Sequence, residues 1–237
     1  MTDRHLEGRL AVVTGASRGI GRDVAIALGR AGAHVIAIAR TVGGLEELDD
    51  EIQAAGGSAT LVPVDLTDFD AIDRLGASIY ERWKKLDILI GNAAMLGPLS
   101  PLGHIKPDAW KNVIDLNLTS NWRLIRSLDP LLKLSDAGRV VFVTSGVGHK
   151  PRAYWGSYAV SKAALEMLSN IYAAECVKTN IRVNLVNPGP TRTKMRAQAM
   201  PGEDPETLPK PDTLVPLFMS LVDPALTRHG ECIDAQA

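Results

Sequence analysis

Leu10-Ala-Val-Val-Thr14-Gly15-Ala-Ser-Arg-Gly19-Ile-Gly21 decides how the rest of the chain is read. Leu10–Thr14 is a short β-branched run, a glycine-rich bend follows it, and apolar residues then recur at helical spacing over 20–28, so the segment predicts strand, tight turn and helix. Glycines at 15, 19 and 21 let the backbone turn sharply and approach a diphosphate. The charge of that group would be met by the free amides and the positive dipole of the helix start. The spacing is G-x-x-x-G-x-G, not the commoner G-x-G-x-x-G.

Working outward, strand-like runs follow at 34–39, 59–64, 86–90, 138–144, 181–186 and 231–234, with helical stretches between them. Alternation of this kind predicts a parallel sheet covered by helices on both faces, with right-handed crossovers. The near-continuous apolar run 86–90 suits a central strand. Residues 95–105 lack periodicity and predict a loop at the carboxyl edge of the sheet, 107–134 one long helix, and 213–221 a last helix. The prolines and acidic residues of 195–211 predict a flap over a substrate.

With 237 residues, 46% hydrophobic and 22% charged, the chain has the composition of a soluble globular domain large enough to bury a substantial core. A net charge of −1, from 26 Lys+Arg against 27 Asp+Glu with no long run of one sign, points away from nucleic acid and from anionic membranes as partners. Met1-Thr-Asp-Arg-His-Leu-Glu-Gly8 lacks the apolar centre of a signal peptide, and no apolar run approaches the ~18 residues of a spanning helix. A cytoplasmic protein is expected. Cys176 and Cys232 have no metal-ligand spacing and are expected to be reduced, buried side chains, and no metal site is expected.

A second stretch, Gly156-Ser-Tyr-Ala-Val-Ser-Lys162, places Tyr158 and Lys162 one turn apart on one face of a helix. A cation held beside the phenol is expected to lower its pKa from about 10 and make Tyr158 a general acid/base. Thr144-Ser145, at the end of the fifth predicted strand, lies where open α/β sheets bind ligands, and Ser145 precedes Tyr158 by thirteen residues.

Taken together, Thr14-Gly-x-x-x-Gly-x-Gly, Asn92-Ala-Ala, Ser145 and Tyr158-x-x-x-Lys162 resemble the short-chain dehydrogenase/reductase family over nearly the whole chain. The resemblance implies one NAD(P)-binding domain over 1–237, a Rossmann-like doubly wound three-layer sandwich whose seven-stranded parallel sheet has the order 3-2-1-4-5-6-7. It implies that Ser145 donates to the substrate oxygen and Tyr158 exchanges its proton. Lys162 would bind the nicotinamide ribose, and Asn117 would distort its helix and hold a water beside the lysine. The glycine turn (Gly15, Ser17, Arg18, Gly19, Ile20, Gly21) would hold the coenzyme, Asp65 with Leu66 its adenine, and Asn92-Ala93 the sheet beside the adenosine. Pro188, Gly189, Thr191 and Thr193 would hold the nicotinamide carboxamide.

Two departures from the family are visible, Ala94 in place of a glycine and an end at Asp234-Ala-Gln-Ala237 in place of Asp-Gly-Gly. Where the NAD-selective form carries a ribose-binding carboxylate, this chain has Ala39 followed by Arg40, and Arg18 could close on the same group. Two guanidinium groups make a cradle for a 2′-phosphate, so NADP(H) is expected over NAD(H), which stays admissible.

The expected activity is reversible hydride transfer between NADP(H) and a ketone, 3-oxoacyl compound or secondary alcohol, in a homodimer or homotetramer. The competing reading is a non-catalytic NADP(H)-binding sensor or scaffold. The presence of Ser145, Tyr158 and Lys162 together disfavours it. Met95, Leu96, Leu99, His149, Tyr154, Trp155 and Met195 are the expected pocket residues, and no basic cluster marks a dock for an acyl carrier protein.

Overall fold

The structure, a computed structural model, describes residues 4–236; Met1–Asp3 of the N-terminal stretch and Ala237 at the other end lie outside the described residues. The chain alternates β1 (Leu10–Thr14), α1 (Gly19–Arg30), β2 (His34–Ala39), α2 (Val42–Ala54), β3 (Ser58–Pro63), α3 (Phe69–Trp83) and β4 (Ile88–Gly91). The second half continues with α4 (Pro107–Ile114), α5 (Ser120–Leu132), β5 (Arg139–Val143), α6 (Gly156–Cys176), β6 (Arg182–Asn187), α7 (Lys194–Ala199), α8 (Val215–Val222) and β7 (Cys232–Asp234). All paired strands run parallel, in the order β3-β2-β1-β4-β5-β6-β7, as expected.

β1, β4 and β5 are buried along their whole length, which explains why their sequences read as continuous apolar runs. One face of the sheet packs against α1, α2 and α8 through Val24, Leu28, Leu45, Leu48 and Phe218. The other packs against α3, α5 and α6 through Ile72, Ile79, Leu124, Leu128 and Leu165. Each such side chain contributes about 1.5–3 kcal/mol of burial energy, and together they hold the carboxyl ends of the strands in one row.

Two expectations need correction. The helix expected over 107–134 is interrupted by a single π turn at Asp115–Thr119, which separates α4 from α5 and contains Asn117. Cys232 is exposed rather than buried, because β7 is the sheet's edge strand; Cys176, on α6, is buried. Among the described residues, no helix is long and apolar enough to cross a membrane.

Candidate active site

A cleft of about 1630 Å³ runs along the carboxyl ends of the strands. Gly15 takes φ +65°, a conformation L side chains rarely adopt, and so lets the chain leave β1 sideways into α1. At Gly21 the reason for glycine is space. A Cβ there would stand 2.4 Å from Asn92 Nδ2 and 2.5 Å from the Gly15 carbonyl oxygen.

Asn92 is the clamp of this region. Its Nδ2 donates to the carbonyl oxygens of Thr14 (2.9 Å) and Gly15 (3.3 Å). The Thr14 hydroxyl in turn accepts from the amides of Asn92 and Ala93, 3.0 Å each, and donates to the Ile90 carbonyl. The mouths of β1 and β4 are thus tied together.

Ser17, Arg18, Gly19, Ile20, Arg40, Asp65, Leu66, Asn92 and Ala93 all line the same end of the cleft. Arg18, in extended conformation, opens α1, and Arg40 follows β2; both are exposed. Arg40 Nη1 donates to Asp65 Oδ2 at 3.5 Å. Burial works to raise the Asp65 pKa but is outweighed by hydrogen bonds from the Thr67 amide and hydroxyl and by Arg40, so the carboxylate is held below its ordinary value.

At the other end, Ser145, Tyr158 and Lys162 line the cleft together. α6 puts Lys162 Nζ 5.7 Å from the centre of the Tyr158 ring, and the ammonium donates to the Val143 carbonyl at 2.7 Å, at the mouth of β5. The expectation that Lys162 lowers the phenol's pKa is overturned. Tyr158 is only 8% exposed, and this burial pushes the phenol up to about 12, opposed only by the hydrogen bond from Ser145. Lys162 is itself pulled down to about 8 by burial, against the charge of Glu166, which acts to raise it. At 5.7 Å, between two desolvated groups, the lysine does not offset the loss of water.

Asn117 is fully buried. Its Nδ2 donates to the Met95 carbonyl (2.9 Å) and to Ser161 Oγ (3.0 Å), and its Oδ1 accepts the Met95 amide at 2.8 Å. Its own main-chain carbonyl accepts Asn121 Nδ2 at 2.9 Å. It therefore pins the loop after β4 to α6.

Beyond β6, Pro188, Gly189, Thr191 and Thr193 line the cleft. Gly189 has φ +67°, and Thr193 caps α7 by accepting the Arg196 amide. Four further residues contribute here that were not among the expected site residues. Gln236 Nε2 donates to the Pro188 and Pro190 carbonyls at 2.8 and 2.9 Å, and Asn187 Nδ2 donates to Asp234 Oδ1 at 2.7 Å. Glu166 Oε1 accepts the Thr144 hydroxyl at 2.7 Å. None lies in a motif, and the departure at the C-terminus was the only signal for Asp234 and Gln236.

Of the expected pocket residues, Met95, Leu96, Leu99, Trp155 and Met195 line the cleft; His149 and Tyr154 do not. His149 turns to Glu166 (3.3 Å), and Tyr154 takes φ +74° in the bend before α6 with its side chain 61% exposed.

The profile of the family described as short chain dehydrogenase matches residues 9–204. The oxidoreductase YciK of Escherichia coli K12 is 38% identical over 98% of this chain and 93% of its own. The 2,3-dihydro-2,3-dihydroxybenzoate dehydrogenase of Bacillus subtilis is 33% identical over 83% of this chain and 75% of its own. Among solved structures, a short chain dehydrogenase from Shigella flexneri 2a complexed with NADP superposes with a TM-score of 0.95 at 37% identity, covering 100% of both chains. With its glycine turn, its Ser145-Tyr158-Lys162 set and its sheet order, the chain belongs to the short-chain dehydrogenase family.

Proposed function

We propose that the protein is an NADP(H)-dependent oxidoreductase that interconverts a carbonyl and a secondary alcohol. The single observation that carries this is the convergence of Ser145, Tyr158 and Lys162 on one cleft whose far end is the glycine turn with Arg18 and Arg40. The likeness to a structure complexed with NADP supports the choice of coenzyme. The bound nicotinamide supplies or accepts the hydride. Arg18 and Arg40 would hold a 2′-phosphate, and Gly15, Ser17, Gly19 and Ile20 would cradle the diphosphate, while Gly21, which is not among the residues lining the cleft, lets the turn close on Asn92. Asp65 and Leu66 border the adenine, and Pro188, Gly189, Thr191 and Thr193 hold the carboxamide.

Ser145 donates to the substrate oxygen while Tyr158 delivers or removes its proton. A buried phenol pushed up to about 12 is protonated at neutral pH, the form that donates to the substrate oxygen when a carbonyl is reduced. Lys162 binds the nicotinamide ribose and relays protons through a water at the Asn117 main-chain carbonyl, which also accepts Asn121 Nδ2. A scaffold without catalysis has no use for three convergent proton-handling groups.

Val160, Met167 and Ile171 share one exposed face of α6, which supports a homodimer or homotetramer built on that helix; sedimentation at graded concentrations tests it. The activity is tested by following NADPH absorbance against ketones, diketones, quinones and 3-oxoacyl thioesters, with Tyr158→Phe as control. Wild type turns over at least one class, and the variant binds NADPH but loses several orders of magnitude in kcat. Near wild-type kcat in Tyr158→Phe removes the tyrosine from its role.

A further inference from the structure

Outside the reacting groups, the substrate end of the cleft is built in two layers. Leu96, Trp155 and Tyr158 form a buried apolar cluster, against which Met195 and Met200 pack. Above it stands Arg152. Its guanidinium lies 5.1 Å over the Trp155 ring, which meets the Tyr158 ring edge-on at 6.0 Å, and Nη2 reaches Met200 Sδ at 3.9 Å. With those two ring separations placed end to end, the guanidinium carbon is no more than about 11 Å from the centre of the Tyr158 ring.

The charge on Arg152 is not neutralised. Among the described residues no carboxylate lies within ion-pair distance of it. The carboxylate that feels it, Glu203, is held by both nitrogens of Arg196 at 2.5 and 2.6 Å. No glutamate lines the cleft. Its aspartates are Asp23 and Asp65, at the glycine-turn end, and Asp234, which is bonded to Asn187. Lys150, two residues before Arg152, also lines the cleft. Both follow β5, two strands from the glycine turn on β1.

We infer that the substrate is an apolar carbonyl compound or alcohol with an anionic group, carboxylate or phosphate, several bonds from the reacting carbon, and that Arg152 reads that anion. The inference rests on the oxidoreductase reading above. Stacking on Trp155 holds the planar guanidinium in place before the ligand arrives, so less freedom is lost when a bidentate contact forms. The apolar cluster beneath takes the substrate's body.

The test compares keto acids of graded chain length with their methyl esters and with matched keto phosphates, using NADPH and wild type, Arg152→Met and Arg152→Lys. Wild type is expected to favour at least one anion over its ester by tenfold or more in kcat/KM, chiefly through KM, with the preference shrinking as salt rises. Arg152→Met brings the ratio toward one and Arg152→Lys, which keeps the charge but not the stacked bidentate fork, restores only part of it; the better of acid and phosphate identifies the anion. Equal use of acid, phosphate and ester by wild type, or an unchanged ratio in Arg152→Met, overturns the inference while leaving the oxidoreductase reading intact. If wild type reduces no carbonyl of either kind, that reading falls and takes this inference with it.

Discussion

Lys162 donates to the main-chain carbonyl of Val143 at 2.7 Å, so α6 is fastened to the mouth of β5 by a lysine that is 2% exposed. A cation so thoroughly desolvated gives up its proton more easily than in water, and its pKa of about 8 lies well under the ordinary 10.5. Between those two values an unfolded lysine binds a proton that the folded one does not, so the Lys162 contribution to stability rises with pH from about 8 to 10, while burial of Cys232 and Cys176 works the other way from about pH 9 upward. The shift corresponds to about 3 kcal/mol, an order-of-magnitude figure at full span. Urea unfolding of the coenzyme-free protein at pH 7, 8, 9 and 10 should show the stability difference between wild type and Lys162→Met growing in favour of wild type as pH rises, since the cysteine contributions are common to both. A difference that does not change with pH would mean that water reaches the ammonium.

Glu166 is the carboxylate that opposes this loss of charge, and it is anchored by Thr144 at 2.7 Å. Glu166→Gln keeps an acceptor for the Thr144 hydroxyl but removes the negative charge. Its expected effect is a move of the alkaline limb of the kcat profile, and of the rise in stability, to lower pH. An unmoved limb would show that Glu166 serves only to hold Thr144.

Among the described residues the one ion pair of Arg40 is with Asp65, at 3.5 Å and with both partners well exposed, so little stability depends on it. Arg40→Ala is therefore expected to leave Tm within a few degrees of wild type while raising KM for NADPH roughly 10- to 100-fold, the worth of a hydrogen bond between charged groups. KM for NADH should change little. Equal effects on both coenzymes would place the 2′-phosphate elsewhere.

Asn117 satisfies both backbone polar groups of Met95 from a fully buried position. Asn117→Ala strands those groups, with an expected loss of about 2–4 kcal/mol in urea unfolding and a looser substrate loop. A loss under 0.5 kcal/mol would mean that the Met95 loop finds other partners.

Much of this molecule was legible in one dimension. Strand positions and their parallel direction follow from β-branched runs alternating with helical spacing, whereas the order 3-2-1-4-5-6-7 followed from the family resemblance. The glycine turn was legible because Gly15 and Gly21 stand where no side chain fits, a local constraint that leaves its mark in the sequence. Tyr158 and Lys162 share a helix face by spacing alone.

What tertiary structure decided is what depends on desolvation and on contacts between distant segments. Spacing places Lys162 near Tyr158 but says nothing of how much water each loses, and burial sets both pKa values, in directions that proximity alone does not predict. The contacts of Glu166 with Thr144, Gln236 with Pro188 and Arg152 with Trp155 and Met200 appear only when helix, strand mouth and C-terminal tail meet, because a contact between such segments leaves no periodicity to read.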